Sequence, residues 1–200
     1  MKNKIVVLYG KSASGKDTIL QELLTKGFQP IISHTTRPMR EGEVDGKDYH
    51  FISIKEFLKE LGKDNFIETR SYDTLLMDMK ETWHYGVHKD SIKGSDKDYI
   101  TILDMEGLEQ FIKYFGKDKI IPIGILASEE TRKYRASKRG SFCEIEWNRR
   151  LEADDKDFAN FFDHKVFLNE DKELGEIVEE IFEYIKRERR NKNAGYNNGC

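Results

Sequence analysis

The segment that most constrains the fold is residues 5–20, which read IVVLYGKSASGKDTIL. Its first five residues are apolar and predict a short buried strand that ends at Gly10. A small polar loop follows, and from Lys16 onward leucine and isoleucine recur at helical spacing. A strand, a glycine-rich loop and a helix form the setting in which a G-x-x-x-x-G-K motif binds phosphate. The segment therefore predicts a phosphate-binding loop.

The chemistry of this loop agrees with its pattern. Gly10 and Gly15 can adopt backbone angles that other residues avoid, so the loop can curl with its N–H groups pointing inward. These groups and the N-terminal end of the helix form an anion site, to which Lys16 adds a full positive charge. The predicted nucleotide contacts of this segment are Gly10, Ser12, Ala13, Ser14, Gly15, Lys16, Asp17 and Thr18.

Asp17 occupies a position where serine or threonine usually binds Mg²⁺ through its hydroxyl. The carboxylate of Asp17 would hold the metal directly or through water, or it would cap the helix and complement its dipole. Both interpretations stay open. The alternative for the whole loop is an ordinary strand–turn–helix corner, which the glycines, the lysine and the flanking pattern together disfavour.

Composition narrows the class of protein. The net charge of −3 predicts no general attraction to nucleic acid or to a membrane. No run of 18 apolar residues occurs, so we expect no membrane span. The two cysteines, Cys143 and Cys200, suggest no disulfide framework, and the five histidines lack the spacing of a zinc site. We expect a cytoplasmic protein.

Strands and helices alternate along the chain, which predicts a parallel sheet with helices on both faces. The predicted strands cover about 5–9, 29–33, 99–103, 120–126 and 166–168. The predicted helices cover about 16–26, 108–115, 128–139, 144–162 and 174–190. The tail, 191–200, is expected to be disordered.

The middle of the chain departs from this alternation. Asp45-Gly46 is typical of a hairpin turn, so residues 49–52 are expected to return as a strand. Residues 73–82 fit either the extension of a hairpin or a short helix, and the sequence does not decide between them.

A short helix is expected between these two segments. Ser53 is a candidate N-cap, and Glu56 stands at the position that completes a capping box. Phe57, Leu58 and Leu61 are expected to face inward.

Ligands of parallel α/β sheets bind beyond the carboxyl ends of the strands. The phosphate loop follows the first predicted strand, the basic segment HTTRPMR (34–40) follows the second, and Asp104 ends a later one. We therefore expect these three features to meet at one edge of the sheet.

Further motifs extend the pattern along the chain. They are SHTTRPMREGEVDGKDYHF (33–51), FIE (66–68), LDMEG (103–107), the KRG turn (138–140) and NRRL (148–151). In this order, and over about residues 4–185, the chain resembles guanylate kinase, a family of nucleoside monophosphate kinases. The S-x-T-T-R-x-x-R-x-G-E-x-x-G-x-D-Y run is far more specific than a phosphate loop alone.

The resemblance implies an α/β P-loop kinase fold, with a parallel sheet flanked by helices, an inserted subdomain that binds the acceptor monophosphate and a helical lid. The implied core comprises residues 1–32, 88–128 and 151–190. The implied acceptor-binding region is 33–87, and the implied lid is 129–150.

The resemblance also implies roles for individual residues on the acceptor side. The positions that match ligands of the acceptor phosphate are Ser33, Arg37, Arg40, Tyr49 and Tyr85. Two guanidinium groups can clamp a phosphate, and a tyrosine hydroxyl adds a donor. Glu68 and Asp104 match two carboxylates that read guanine by accepting from its N1–H and N2 amine.

For the donor ATP, the resemblance implies that Arg135, Arg139 and Arg150 are lid arginines and that Asn169 lies near the adenine. The implied reaction moves the γ-phosphoryl group of ATP to GMP or dGMP with Mg²⁺ as the metal ion, for which Asp17 is the candidate ligand. The implied catalytic cations are Lys16, Arg37, Arg135 and Arg150. Such a transfer needs positioning and charge neutralisation rather than covalent help.

Three departures from the family pattern motivate alternatives. Val87 stands where a small hydroxyl residue commonly contacts guanine, Ile102 stands where an aspartate is often found, and the stretch 71–83 is longer than usual. An acceptor other than guanine is therefore a second hypothesis. A third is a non-catalytic module that binds phosphorylated peptides, which the intact phosphate loop disfavours.

Overall fold

The computed structural model describes residues 3–76, 79–138, 142–158, 164–170 and 172–194. The chain forms two compact units. The first combines Met1–Gln29 with Lys97–Cys200, and the second is Pro30–Asp96. The predicted acceptor-binding region, 33–87, falls inside the second unit. No helix in the described part of the chain is long and apolar enough to cross a membrane.

A five-stranded sheet lies at the centre of the first unit. With strands numbered along the whole chain, its members are β1 (Ile5–Tyr9), β2 (Gln29–Pro30), β7 (Tyr99–Ile102), β8 (Ile120–Leu126) and β9 (Lys165–Leu168). Their order across the sheet is β2-β7-β1-β8-β9. β1 pairs in parallel with β7 and β8, and β8 pairs in parallel with β9. The predicted second strand, 29–33, is shorter than expected because only Gln29 and Pro30 join this sheet.

Helices cover both faces of this sheet. The helices of the first unit are α1 (Lys16–Thr25), α3 (Met105–Phe115), α4 (Glu129–Ser137), α5 (Glu144–Asp157) and α6 (Leu174–Ala194). Alternate residues of β1, Val6 and Leu8, are fully buried in one core cluster with side chains of α1 and α6. The buried residues of α3, Leu108 and Phe111, lie outside that cluster, while α3 packs on β1 and β8. The predicted parallel sheet flanked by helices is confirmed.

Two helix ends differ from the sequence prediction. α5 ends at Asp157 rather than near 162, and residues 159–163 lie outside the described part of the chain. α6 extends to Ala194, four residues into the segment that we expected to be disordered. Lys192 explains this extension, because its ammonium group donates to the carbonyls of Lys117 (2.7 Å) and Ile120 (2.6 Å) and anchors the last turn.

The second unit contains a four-stranded sheet and one helix. Its elements are β3 (His34–Thr35), β4 (His50–Phe51), α2 (Ile54–Gly62), β5 (Phe66–Leu76) and β6 (Met79–His88). The strand order is β4-β3-β6-β5, and a 3₁₀ turn, Lys89–Ser91, follows β6. β5 and β6 form a long antiparallel ribbon, so the described parts of the ambiguous stretch, 73–76 and 79–82, are paired strands of a hairpin extension and not a helix. Residues 77–78 lie outside the described part of the chain.

The strand near residues 49–52 exists, but it does not form a hairpin. β4 pairs in parallel with β3, through hydrogen bonds from the His50 N–H to the Ser33 carbonyl (2.9 Å) and from the Ile52 N–H to the Thr35 carbonyl (3.0 Å). Gly46 does form a tight turn, with its N–H on the Tyr49 carbonyl at 2.8 Å. That turn lies within the connection and does not reverse the strand.

The capping box of α2 is confirmed, since Ser53 and Glu56 exchange hydrogen bonds. Phe57 is buried as predicted, and its ring stacks on Phe66 with centroids 4.6 Å apart. The prediction is wrong for Leu58 and Leu61, which are 51% and 43% exposed. In this short helix Phe57 is the residue that reaches the buried side.

The expectation that three features follow strands of one sheet is correct for two of them. The phosphate loop follows β1 and Asp104 follows β7, and these strands are parallel neighbours. The segment HTTRPMR begins with β3, which belongs to the other sheet in the second unit. The alternation of strands and helices therefore does not run from end to end.

Candidate active site

The phosphate loop is built from backbone conformations that favour glycine. Gly10 and Gly15 have φ angles of +153° and +98°. A Cβ atom on Gly10 would lie 2.1 Å from the carbonyl oxygen of Ile125, and one on Gly15 would lie 2.2 Å from Nδ2 of Asn169. Ala13, between them, has a φ of +61°. Sterics and backbone strain thus both require the two glycines of the motif.

Lys16 folds back over this loop. Its Nζ donates to the carbonyls of Gly10 (2.7 Å) and Lys11 (3.0 Å), which holds the ammonium group at the mouth of the loop. Ser14 Oγ is fully buried and finds no hydrogen-bond partner among the described residues. α1 begins at Lys16, and no side chain in the described part of the chain caps it. A buried hydroxyl, uncapped N–H groups and a lysine are the groups that bind a phosphate.

Asp17 and Thr18 lie exposed in the first turn of α1. The charge of Asp17 complements the helix dipole there. Among the described residues, no group of three or more His, Cys, Asp or Glu side chains forms a metal site. A Mg²⁺ ion that arrives with nucleotide phosphates needs only one or two protein carboxylates. The donor set therefore fits an ion held mainly by phosphates, and Asp17 is the candidate protein ligand.

Two of the predicted donor-side residues meet the phosphate loop. Arg135 on α4 donates to the carbonyls of Asn169 (2.9 Å) and Ser14 (3.4 Å). Asn169, which is buried, donates from Nδ2 to the Ser14 carbonyl at 2.8 Å. Ser14, Arg135 and Asn169 are therefore brought together at the phosphate loop.

The other two lid arginines are placed differently. Arg150 donates from Nε to Glu146 at 2.8 Å, a carboxylate that Arg149 also binds in a bidentate manner. Hydrogen bonds from Arg149, and then from Arg150, lower the pKa of Glu146 to about 2, although burial opposes this. In the described part of the chain, Arg150 thus bonds within α5. Arg139 lies outside the described residues.

A set of contacts between α5 and the phosphate loop was not predicted from the sequence. The backbone N–H of Ser12, expected to face a nucleotide, donates to Oδ2 of Asp154 at 2.8 Å. Lys11 pairs with Asp155 at 2.6 Å, and this hydrogen bond lowers the pKa of Asp155. Aspartates on a polar helix give no sequence signal that marks them as partners of a loop more than 140 positions away.

In the second unit, Arg37 is a buried cation that is already oriented. Its Nη1 and Nη2 donate to Glu43 at 3.0 and 2.7 Å, and its guanidinium lies over the rings of Tyr49 (5.5 Å) and Phe51 (5.6 Å). Burial alone would lower the pKa of Arg37, but the hydrogen bond with Glu43 and the nearby Tyr85 outweigh it and raise the pKa. Arg37 therefore stays charged in a buried setting.

Glu43 connects both predicted phosphate-binding arginines. Besides Arg37, it accepts a hydrogen bond from the backbone N–H of Arg40 at 2.7 Å. Burial alone would raise the pKa of Glu43, but the hydrogen bonds from Arg37 and Arg40 lower it. Glu43 belongs to the G-E step of the long motif, which was the one signal that could have identified it.

The other four predicted ligands of the acceptor phosphate also lie in the second unit. The rings of Tyr49 and Tyr85 meet edge to face, with centroids 6.0 Å apart. The side chain of Arg40 is exposed, whereas Arg37 is 4% exposed. Ser33 immediately precedes β3, where its carbonyl accepts from the His50 N–H. Tyr49 thus contacts both Arg37 and Tyr85, whereas Ser33 lies before β3 and the two arginines lie after it.

The two predicted base-reading carboxylates lie in different units. Glu68 is buried on β5, beside an irregularity in the ribbon, and it is paired in register with Val87, which is fully buried. Asp104 is the N-cap of α3 and accepts from the Gly107 N–H at 2.8 Å. Asp104 thus has a structural role that was not predicted from the sequence.

Comparison with known proteins places this geometry in a family. The guanylate kinase family model matches residues 2–188. The guanylate kinase of Chlorobium luteolum is 32% identical over 176 residues, which cover 84% of each chain. That of Porphyromonas gingivalis is 30% identical over 187 residues, which cover 89% of this chain and 94% of the relative.

A solved structure agrees at the level of the fold. The crystal structure of guanylate kinase from Anaplasma phagocytophilum superposes with a TM-score of 0.67 at 22% identity, covering 94% of this chain and 86% of that one. It confirms the predicted α/β P-loop kinase fold. On the family match and on the two relatives, this chain belongs to the guanylate kinase family.

Proposed function

We propose that this chain transfers the γ-phosphoryl group of ATP to GMP or dGMP. A phosphate oxygen of the acceptor bonds to the γ-phosphorus as the bond to the β–γ bridging oxygen breaks, which yields ADP and GDP or dGDP. The observation that carries this proposal is the preformed phosphate loop, in which Lys16 is held across the loop opening and the hydroxyl of Ser14 is buried without a partner among the described residues.

On the donor side, the loop N–H groups and Lys16 bind the β- and γ-phosphates of ATP. Arg135 and Asn169 are already fixed beside the loop, so they can line the nucleotide without a large rearrangement. Arg139 and Arg150 remain proposed lid cations. Mg²⁺, when bound with ATP and Asp17, neutralises phosphate charge.

On the acceptor side, Arg37 and Arg40 bind the phosphate of GMP, and Ser33, Tyr49 and Tyr85 add hydroxyl donors. Glu43 and the two flanking rings fix the guanidinium of Arg37 before substrate arrives. An oriented guanidinium loses less entropy on binding than a mobile one, which favours tight and directional capture of phosphate.

Guanine is read by Glu68 together with Asp104. The carboxylate of Glu68 accepts from the N1–H and N2 amine of guanine, a pair of donors that adenine does not present in this pattern. Val87, opposite Glu68, adds an apolar wall in place of a hydroxyl. The relatives are guanylate kinases, which favours GMP over another acceptor and over a non-catalytic phosphopeptide module. These nucleotide substrates fit a cytoplasmic location, with no nucleic-acid or membrane partner proposed.

The test is ADP release with ATP, Mg²⁺ and each of GMP, dGMP, AMP, CMP, UMP and dTMP. We expect turnover with GMP and dGMP to exceed that with the other four. Greater turnover with a different base would support kinase activity and refute recognition of guanine. The absence of turnover with all six acceptors would refute kinase activity and favour the non-catalytic phosphopeptide-binding module.

The role of Glu68 has its own variant. Glu68→Gln should reduce the preference for GMP over AMP, because an amide presents one acceptor oxygen where the carboxylate presents two. Asp73→Asn, on the exposed part of the same strand, is the matched control and should leave the preference unchanged. Equal increases of KM for all acceptors would show that Glu68 is structural.

A further inference from the structure

Two helices of the first unit hold one residue of the phosphate loop from outside. Asp154 on α5 accepts from the Ser12 N–H (2.8 Å, Oδ2) and from the Ser12 hydroxyl (3.2 Å, Oδ1). Arg132 on α4 donates from Nη1 to the Ser12 carbonyl (3.2 Å) and to Asp154 Oδ2 (3.1 Å). All three polar groups of Ser12 are therefore engaged by these two side chains.

The ion pair between these helices is buried. The side chains of Arg132 and Asp154 are 3% and 13% exposed, and the guanidinium lies 5.6 Å over the buried ring of Trp147. Low local polarity strengthens such contacts and makes the loss of one partner costly. In the adjacent ion pair, Lys11 with Asp155, the aspartate is exposed to solvent, so this pair contributes little to holding the loop.

The location of Ser12 makes these contacts relevant to nucleotide binding. Ser12 immediately precedes Ala13, whose left-handed conformation (φ +61°) persists only where its surroundings impose it. The hydrogen bonds of Ser12 supply that constraint on one side, and the bond from the Ser14 N–H to the Lys11 carbonyl (3.2 Å) supplies it within the loop. Without them, the loop could relax and redirect its N–H groups.

We propose that Asp154 is a positioning residue for the donor nucleotide. It fixes Ser12, and with it the curvature of the phosphate loop. Through Arg132 it sets that curvature together with the position of α4, the helix whose Arg135 reaches Ser14. The inference rests on the proposed function, in that the loop binds the phosphates of ATP. Asp154 itself need not touch the nucleotide.

The experiment compares the wild type, Asp154→Asn and the double variant Arg132→Leu/Asp154→Leu. The double variant removes both charges, so no buried charge is left unpaired. We expect it to raise KM for ATP and the Kd of a non-hydrolysable ATP analogue about tenfold or more, because small displacements of positioning groups are costly. KM for GMP should stay within about twofold. Asp154→Asn keeps an oxygen that accepts from Ser12, so it should retain most of the affinity.

Glu144→Gln is the matched control. Glu144 on α5 also pairs with a residue of α4, Lys133, at 2.6 Å, but this pair is exposed and does not contact the loop. The control should bind the ATP analogue like the wild type. If the double variant does not fold by circular dichroism, Arg132→Gln/Asp154→Ser takes its place, because it leaves no buried charge unpaired and serine is too short to reach the Ser12 N–H.

Several outcomes would overturn the inference: unchanged affinity of the folded variant for the analogue, equal increases of KM for ATP and GMP, or no recovery in Asp154→Asn. Binding of the analogue is measured without turnover. An inactive wild type would therefore refute the proposed function and still leave the role of Asp154 to be decided by analogue binding.

Discussion

The protein has two candidate phosphate sites that are built differently. One is the phosphate loop of the first unit, and the other is the Arg37 cluster of the second unit, which comprises Arg37, Arg40, Glu43, Tyr49 and Phe51. The loop uses main-chain groups, and its shape depends on the φ angles of Gly10 and Gly15. The Arg37 cluster uses side chains, and its shape depends on the carboxylate of Glu43 and on flanking aromatic rings. The first site is therefore specified by where side chains are absent, and the second by which side chains are present.

The supply of positive charge differs as well. Two of the partners of Lys16 are the neutral carbonyls of Gly10 and Lys11, which orient its ammonium group without offsetting its charge. The charge of Arg37 is already offset by Glu43, so the net positive charge of the cluster comes from the exposed Arg40. We infer that the loop attracts its ligand by charge and that the cluster orients its ligand by geometry, with Arg40 supplying the attraction.

Lys16→Ala, in the phosphate loop, should reduce activity more than any other substitution proposed here. Removal of the positive charge at the transferring phosphate should lower kcat/KM about 1,000-fold while the melting temperature stays near that of the wild type. Lys26→Ala is the control, because Lys26 follows the end of α1 and pairs with Glu179 at the surface. A loss smaller than about tenfold would remove Lys16 from the catalytic groups.

Glu43→Gln should weaken the second site by a smaller amount. The amide keeps one acceptor but loses the charge that holds both Nη atoms, so we expect KM for GMP to rise about tenfold and KM for ATP to stay unchanged. The neighbouring and exposed Glu41, changed to Gln, serves as the control. If the two KM values rose together, Glu43 would stabilise the unit without orienting Arg37.

The same contrast explains what the sequence could predict. A site made from glycines and a lysine at fixed spacing is local, so the strand, loop and helix around Lys16 were predicted closely. The family motif located Arg37 for a similar reason, because its partners Glu43 and Tyr49 lie in the same short segment.

Contacts between segments that are distant along the chain could not be predicted from the sequence. Asp154 meets Ser12 across 142 positions, and nothing in the polar sequence of α5 marks one of its acidic residues above the others. The parallel pairing of β3 and β4 was missed because a tight turn at Gly46 imitates a hairpin signal within a longer connection. Leu58 and Leu61 were misplaced because helical periodicity does not reveal how much of a helix face a neighbour covers.

Lowering the pH should destabilise the second unit through His34, and this is the smallest of the expected effects. His34 on β3 has a buried ring nitrogen, Nδ1, with no hydrogen-bond partner among the described residues. Three rings surround the ring of His34, with centroid-to-centroid distances of 4.7 Å for His50, 5.5 Å for His88 and 5.9 Å for Phe66. The carboxylates of Asp45 and Glu60 also act on His34 electrostatically. Burial, followed by the neighbouring imidazoles His50 and His88, lowers the pKa of His34 to about 4, although the two carboxylates oppose this.

The direction of the stability change follows from proton uptake. Between pH 6.5 and 4, the unfolded chain binds a proton on this histidine and the folded chain does not, so stability must fall as the pH falls through this window. Melting temperatures measured from pH 7.5 to 4.5 should therefore decline by roughly 2–4 °C more in the wild type than in His34→Asn, which has no imidazole at this position. The comparison uses the difference between the two curves, because other groups titrate in both proteins. Parallel curves would mean that His34 does not couple the folding of the second unit to pH.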